Sequence, residues 1–230
     1  EKEFQDGVDI NPNSFFKKLN QTDKLPHTSR PAPALFKERY QKMLKKYDKL
    51  LSIHVSAGLS GTFESAKLAA RETAADKITV IDSSTISLGL GMLTVLAAKL
   101  SEENKKINEI TKILDQAKKN LYLYFTVKDL RYMKEGGRIG KASAFLGSIF
   151  NINPVISIST ESGKVKPIAK VRGKNRARDK IIEEIKKKTE QKNNIWLGFA
   201  HGDRKNDLDE FKNQLLKEIE GENRKIKTFD

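Results

Sequence analysis

Cysteine is absent from the 230-residue chain, which excludes disulfides, thiolate metal sites and a cysteine nucleophile. Histidine is scarce: His27, His54 and His201 lie far apart and in no metal-ligand spacing, so zinc has no support. The longest largely apolar run, 88–100, is broken by Gly89, Gly91, Thr94 and Lys99 and is too short and too polar to cross a bilayer. No signal peptide is visible in a sequence that opens on Glu1. Phosphate-binding glycine motifs are missing too. A Walker loop needs a lysine after its last glycine, and none follows Gly61; the pair Gly89 and Gly91 has Thr94 where a dinucleotide fingerprint needs a third glycine.

What is abundant is positive charge, 44 Lys and Arg against 30 Asp and Glu, for a formal net charge of +14. Such a surplus suits nucleic acid or an anionic surface. Its distribution argues otherwise. Lys45, Lys46, Lys105, Lys106, Lys118, Lys119 and Lys186 to Lys188 fall on the polar faces of expected helices, mostly beside acidic residues. The expectation is a solvated lysine-rich surface and no nucleic acid. The alternative, a basic nucleic-acid-binding protein using the dense stretch 170–178, would show a steep loss of binding with salt.

The periodicity alternates strand and helix. Helices are expected from residue 13 or 14 through 19, and over 34–47, where Leu35, Phe36, Tyr40, Met43, Leu44 and Tyr47 form an apolar stripe read as core. A strand over 50–55 leads through a polar turn to a helix over 63–71. A second strand, 77–81, ends at Asp82-Ser83-Ser84 before an almost wholly apolar helix, 85–100, read as buried. An amphipathic helix then runs from Ile107 to near Asn120. This order predicts a parallel sheet whose strand ends share one edge, the place where α/β proteins bind ligands, and gathers Thr28, Ser60 and Ser83 there. Beyond Asn120 the pattern changes to a strand over 121–127, a hairpin of 155–159 and 164–171 across Glu161-Ser162-Gly163, a helix over 175–189, a strand over 195–201, a helix over 207–220 and a strand over 225–229. The fold class expected is α/β with two domains: 1–120, a parallel-sheet α/β domain, and 121–230, an α+β domain with a mixed sheet. The first strand and the last segment look missing, because the sequence opens on Glu1 and stops at Asp230 directly after a strand-like run.

The most informative stretch is Ser56-Ala57-Gly58-Leu59-Ser60-Gly61-Thr62, the turn between the first strand and its helix. Gly58 and Gly61 permit close approaches that a Cβ would block, and Ser60 and Thr62 bring hydroxyls to the helix start. Free N–H groups and the positive end of the helix dipole point to the same corner, which suits a carboxylate or phosphate. A capped helix without a ligand uses the same residue types. A serine hydrolase acting on an acyl substrate through Ser56 or Ser60 is a further alternative, although a nucleophile elbow wants one more residue between Ser60 and Gly61.

Four segments in order carry a resemblance: Leu25-Pro26-His27-Thr28-Ser29-Arg30-Pro31; the 56–62 turn; Asp82-Ser83 with Ser87-Leu88-Gly89-Leu90-Gly91; and Gly136-Gly137-Arg138-Ile139-Gly140, joined by Lys170-Val171-Arg172-Gly173. Together they resemble the DegV family, including its FakB-type members. That resemblance implies a cytoplasmic two-domain α/β protein with no cofactor and no catalysis of its own. It would hold one long-chain fatty acid between its domains and present the carboxylate to a partner kinase, which phosphorylates it with ATP for phospholipid synthesis. Transient contact with a membrane surface is compatible with that role. By the family pattern Thr28 and Ser60, with Gly61 and Thr62 in the same turn, hold the carboxylate. Ser29, Ser83 and Arg138 lie near the head group, and Arg172 faces the kinase. The family's opening strand with its Asp-Ser signature and its closing Gly-Thr-His segment are not in the sequence, which reads as truncation at both ends. Arg30 stands where many relatives have a neutral residue and alters the pocket mouth. Burying about fifteen methylenes would gain on the order of 12 kcal/mol before the costs of association. On this reading the tail supplies affinity, while hydroxyls and N–H groups satisfy the carboxylate without a buried counter-charge.

Overall fold

In a computed structural model, which describes residues 2–22, 24–145, 152–220 and 224–229, the expected alternation of elements is present. The order is α1 (Pro12–Leu19), α2 (Pro33–Leu44), β1 (Leu50–His54), α3 (Thr62–Ala74), β2 (Ile78–Asp82), α4 (Ser87–Glu102), α5 (Ile107–Lys119), β3 (Tyr124–Thr126) and α6 (Arg131–Glu135). A 3-10 turn over Gly140–Phe145 follows, then β4 (Ile152–Ile158), β5 (Val165–Arg172), α7 (Lys174–Thr189), β6 (Asn194–Gly198), α8 (Lys205–Ile219) and β7 (Lys225–Phe229). α6 and the 3-10 turn are additional to the expected elements; the other differences sit at element ends and have local causes. The chain is still extended at Ile86 (φ −139°, ψ 172°), so α4 begins at Ser87. Only Tyr124 to Thr126 of the aromatic run 121–127 reach partners on β4, so β3 is short.

β1 and β2 pair in parallel, as the first half of the chain predicts. The second half contains both orientations, divided between an antiparallel sheet in the order β3-β4-β5 and a parallel pair, β6 and β7.

Contacts gather the chain into two compact units, one of Glu1–Thr28 with Arg178–Asp230 and one of Ser29–Ala177. This grouping is drawn elsewhere than the Asn120 boundary suggested by the change of strand pattern, and the packing explains it. Leu59 and Ile86, from before Asn120, pack on the same core as Ala142, Ile156, Ile158 and Val165. In the Ser29–Ala177 unit two further clusters hold the helices to β1 and β2. Ile81, Leu93, Ala97, Leu100, Ile110 and Leu114 bury one stripe of α4 against α5, and Tyr40, Leu50, Ala69, Ala70 and Ile78 join α2 and α3 to the strands.

The stripe on α2 is only partly core. Tyr40 is buried and Phe36 and Leu44 pack beside it, whereas Leu35, Met43 and Tyr47 are exposed. Small residues explain the tight seat: the inward side of α3 is Ser65, Ala66, Ala69 and Ala70, which lets α2 approach closely along one narrow line.

In the other unit, Ile182 of α7 and Leu215 and Ile219 of α8 form a core with Phe199, reached by Leu197 and Ile226 from the strands. Arg178 ties the two helices, donating to Glu210 Oε2 and to the Asp207 carbonyl at 2.8 Å each.

Candidate functional site

Parallel pairing from Leu50↔Ile78 to His54↔Asp82 makes both strands leave the sheet at one edge, so their polar turns become neighbours. Asp82 joins them: its Oδ1 accepts the N–H of Ala57 at 3.2 Å and of Ser84 at 2.8 Å. Backbone bonds from Ser83 N–H to the His54 carbonyl (3.0 Å) and from Ser56 N–H to the Thr85 carbonyl (2.8 Å) complete the seam.

The β4–β5 turn closes on the same place. Ser56, wholly buried, donates its hydroxyl to the Gly163 carbonyl at 2.7 Å and accepts the Gly58 N–H at 3.1 Å. A Cβ on Gly58 would lie 2.5 Å from the Ser162 carbonyl oxygen. Gly163 has φ +63°, and a Cβ there would run into Ser56 Oγ. Both positions therefore exclude any side chain, one by close approach and the other by backbone conformation as well.

On this platform Ser60, before α3, and Thr62, its first residue, bring their hydroxyls together at the helix start. Ser60 Oγ lies 2.8 Å from Thr62 Oγ1 and accepts the Thr62 N–H at 3.3 Å. Ser60, Gly61 and Thr62 are half-buried, at the positive end of a 13-residue helix. The Arg30 side chain crosses Gly61: a Cβ on that glycine would sit 2.7 Å from both Arg30 Cδ and Nη1. Arg138 reaches the same turn, its Nε donating to the Leu59 carbonyl at 3.3 Å and its Nη1 to the Gly136 carbonyl at 2.5 Å.

Ser60, Gly61, Thr62 and Arg138 are thus brought together within one unit. Thr28 is exposed and ends the first segment of the other unit; Ser29, also exposed, opens this one. Ser83 is buried, and its hydroxyl is engaged in its own turn, donating to the Thr85 carbonyl at 3.2 Å and accepting the Thr85 N–H at 3.3 Å. Arg172 is exposed at the last position of β5.

Arg30, singled out in the sequence, is found laid over Gly61, and two contributions went unread: Asp82 as the clasp between turns and Ser56 as the anchor of the hairpin. Only Asp82 has a local signal, an acid directly before Ser83-Ser84, where a carboxylate accepts a backbone N–H two residues on.

A hydroxyl–histidine pair does occur nearby, but on another serine. Ser52 Oγ is 2.7 Å from His54 Nε2 and accepts the Tyr40 hydroxyl at 2.8 Å, with the Phe36 ring edge-on to His54. Burial holds His54 below its ordinary pKa; it also raises Tyr40, against a smaller lowering by the Ser52 hydrogen bond. The hydroxyls of Ser56 and Ser60 bond instead to the Gly163 carbonyl and to Thr62. Among the described residues no group of three or more acidic or histidine side chains is placed to hold a metal ion, and no helix is long and apolar enough to cross a membrane.

Comparison with known proteins places the chain in a family. The model of the DegV family, described as an uncharacterised protein family, matches residues 1–230. A DegV domain-containing protein of Deinococcus radiodurans is 34% identical over 196 residues, 85% of this chain and 69% of that relative. A second, from Caldanaerobacter subterraneus, is 32% identical over 219 residues, covering 95% of this chain and 77% of its own length. Among solved structures, a DegV family protein from Thermus thermophilus reported for fatty acid binding superposes with TM-score 0.84 at 30% identity, over 97% of this chain and 79% of its own. DegV of Bacillus subtilis, described as a fatty acid binding protein, does so with TM-score 0.84 at 26% identity, over 97% and 78%. With the family model matching residues 1–230, and with relatives more than 30% identical over most of the sequence, the chain belongs to the DegV family.

Proposed function

We propose that this protein binds a long-chain fatty acid with the carboxylate at the 56–62 turn and presents that group to a partner kinase. The observation that carries the reading is the likeness over nearly the whole chain to solved relatives described as fatty acid binding, combined with the hydroxyl pair Ser60 and Thr62 at the start of α3. A carboxylate there would accept hydrogen bonds from Ser60 and Thr62 and from first-turn N–H groups, which are otherwise unsatisfied at a helix start. The family pattern adds Thr28 as a third hydroxyl donor, with Ser29 beside it.

In this role the protein is a lipid carrier and the partner supplies catalysis with ATP. The product, an acyl phosphate, would enter phospholipid synthesis. Arg172, exposed at the end of β5, would meet the kinase surface. The test begins with mass spectrometry of an organic extract of protein purified from cells, which should contain a fatty acid. Ser60→Ala should then weaken fatty acid binding by a few kcal/mol, because an ionised acceptor loses its donor. Unchanged affinity in that variant would remove Ser60 from the site. Charge reversal at Arg172 should weaken kinase binding and leave lipid affinity intact.

A further inference from the structure

We infer that Arg30 is a ligand contact that makes the site selective for an ionised carboxylate over a neutral head group, an inference that rests on the fatty-acid reading above. Its side chain lies across Gly61, with the Cβ position of that glycine 2.7 Å from both Cδ and Nη1, a proximity that only glycine allows. The adjoining groups are Ser60 Oγ, Thr62 Oγ1 and the start of a 13-residue helix. All of these are donors or carry partial positive charge.

Arg30 is exposed, so its guanidinium is open to a ligand arriving from solvent. No described acidic side chain pairs with it; Glu64, the acid in the first turn of α3, forms no ion pair with Arg30. A cation held against the positive end of a helix is disfavoured until an anion joins them. One carboxylate would satisfy the guanidinium, the hydroxyls and the helix start together, by charge-assisted hydrogen bonds that a hydroxyl head group cannot match. Pro31 and Pro33 restrain the backbone that follows Arg30, so little backbone freedom is lost when the contact forms.

The test compares direct equilibrium binding of radiolabelled hexadecanoic acid and hexadecan-1-ol to the full chain, stripped of co-purified lipid. Wild type should prefer the acid. Arg30→Gln should lower acid affinity by about tenfold to a hundredfold, the cost of losing a hydrogen bond to a charged group, and leave alcohol affinity unchanged. Arg30→Lys, which keeps the charge without the fork, should fall between them. The acid preference should narrow in wild type as salt is raised, and less so in Arg30→Gln. If wild type binds the acid and Arg30→Gln retains the same acid-to-alcohol ratio, Arg30 is not a ligand contact. Equal weakening of both ligands would likewise overturn the inference, assigning Arg30 to packing. If wild type binds neither ligand, the fatty-acid reading itself fails.

Discussion

Gly58 and Gly163 face each other's turns across a gap that no side chain fits. The Ser162 carbonyl would meet a Cβ on residue 58 at 2.5 Å, and this neighbour is backbone that cannot swing aside. Gly58→Ala should therefore cost about 2–3 kcal/mol in urea unfolding. Ser56→Ala removes the hydroxyl that satisfies the buried Gly163 carbonyl and should cost about 1–3 kcal/mol. If both variants melted like wild type, the hairpin would not be clamped to the strand-edge turn. At this scale the glycines of the 56–62 turn were legible in the sequence as positions of close approach. What they approach was not, because Ser56 and Gly163 are 107 positions apart.

Among the elements, α2 and the α7–α8 pair separate two kinds of polar contact. Half-buried Ser52 and His54 are reached by the Tyr40 hydroxyl from α2, and His54 is held neutral by burial. Its folded pKa lies below the unfolded value of about 6.5, so the unfolded chain takes up the proton first as pH falls. Stability should thus decline as pH drops below about 6.5 and stop declining, for this group, once the folded pKa is passed. The difference in urea stability between wild type and His54→Gln, measured at pH 7.5 and pH 5, should shrink at the lower pH; a difference that grew would reverse the sign of the argument.

Arg178, with its side chain only 13% exposed, binds Glu210 and the Asp207 carbonyl from α8. Arg178→Met should cost about 1–2 kcal/mol. By contrast Glu183, lowered to about 2 by hydrogen bonds from Lys180 and then Lys187, is fully exposed, and Glu183→Gln should leave stability unchanged. Helical periodicity showed which side chains share a face of α2. It did not show that Leu35, Met43 and Tyr47 would stay exposed, because that depends on how closely the small face of α3 lets the helix sit.

Across the whole molecule the charge of +14 is spread over the polar faces of helices and is partly neutralised there. Lys180 pairs with Glu183 and Glu184, Lys186 with Glu218 and Lys118 with Asp115. The uncompensated remainder repels itself, and screening should relieve it. The melting temperature should therefore rise by a few degrees, on the order of 1 kcal/mol, between low and physiological salt. A fall on adding salt would mean that the ion pairs outweigh the repulsion.

By itself the sequence determined the kinds of element and their order, the hydroxyl-bearing turn before α3, and the chemistries that lack residues to perform them. Those properties are local, set by side-chain type and by spacing within a turn or two of chain. The tertiary structure decided which partner each hydroxyl finds: Ser56 bonds the Gly163 carbonyl and Ser83 its own turn, while Ser60 and Thr62 pair with each other at a half-buried helix start. It also decided that Arg30 lies over Gly61 and that residues beyond Asn120 share a core with Leu59 and Ile86. The physical reason is that a donor's availability depends on partners brought in from distant segments, and distance along the chain carries no record of them.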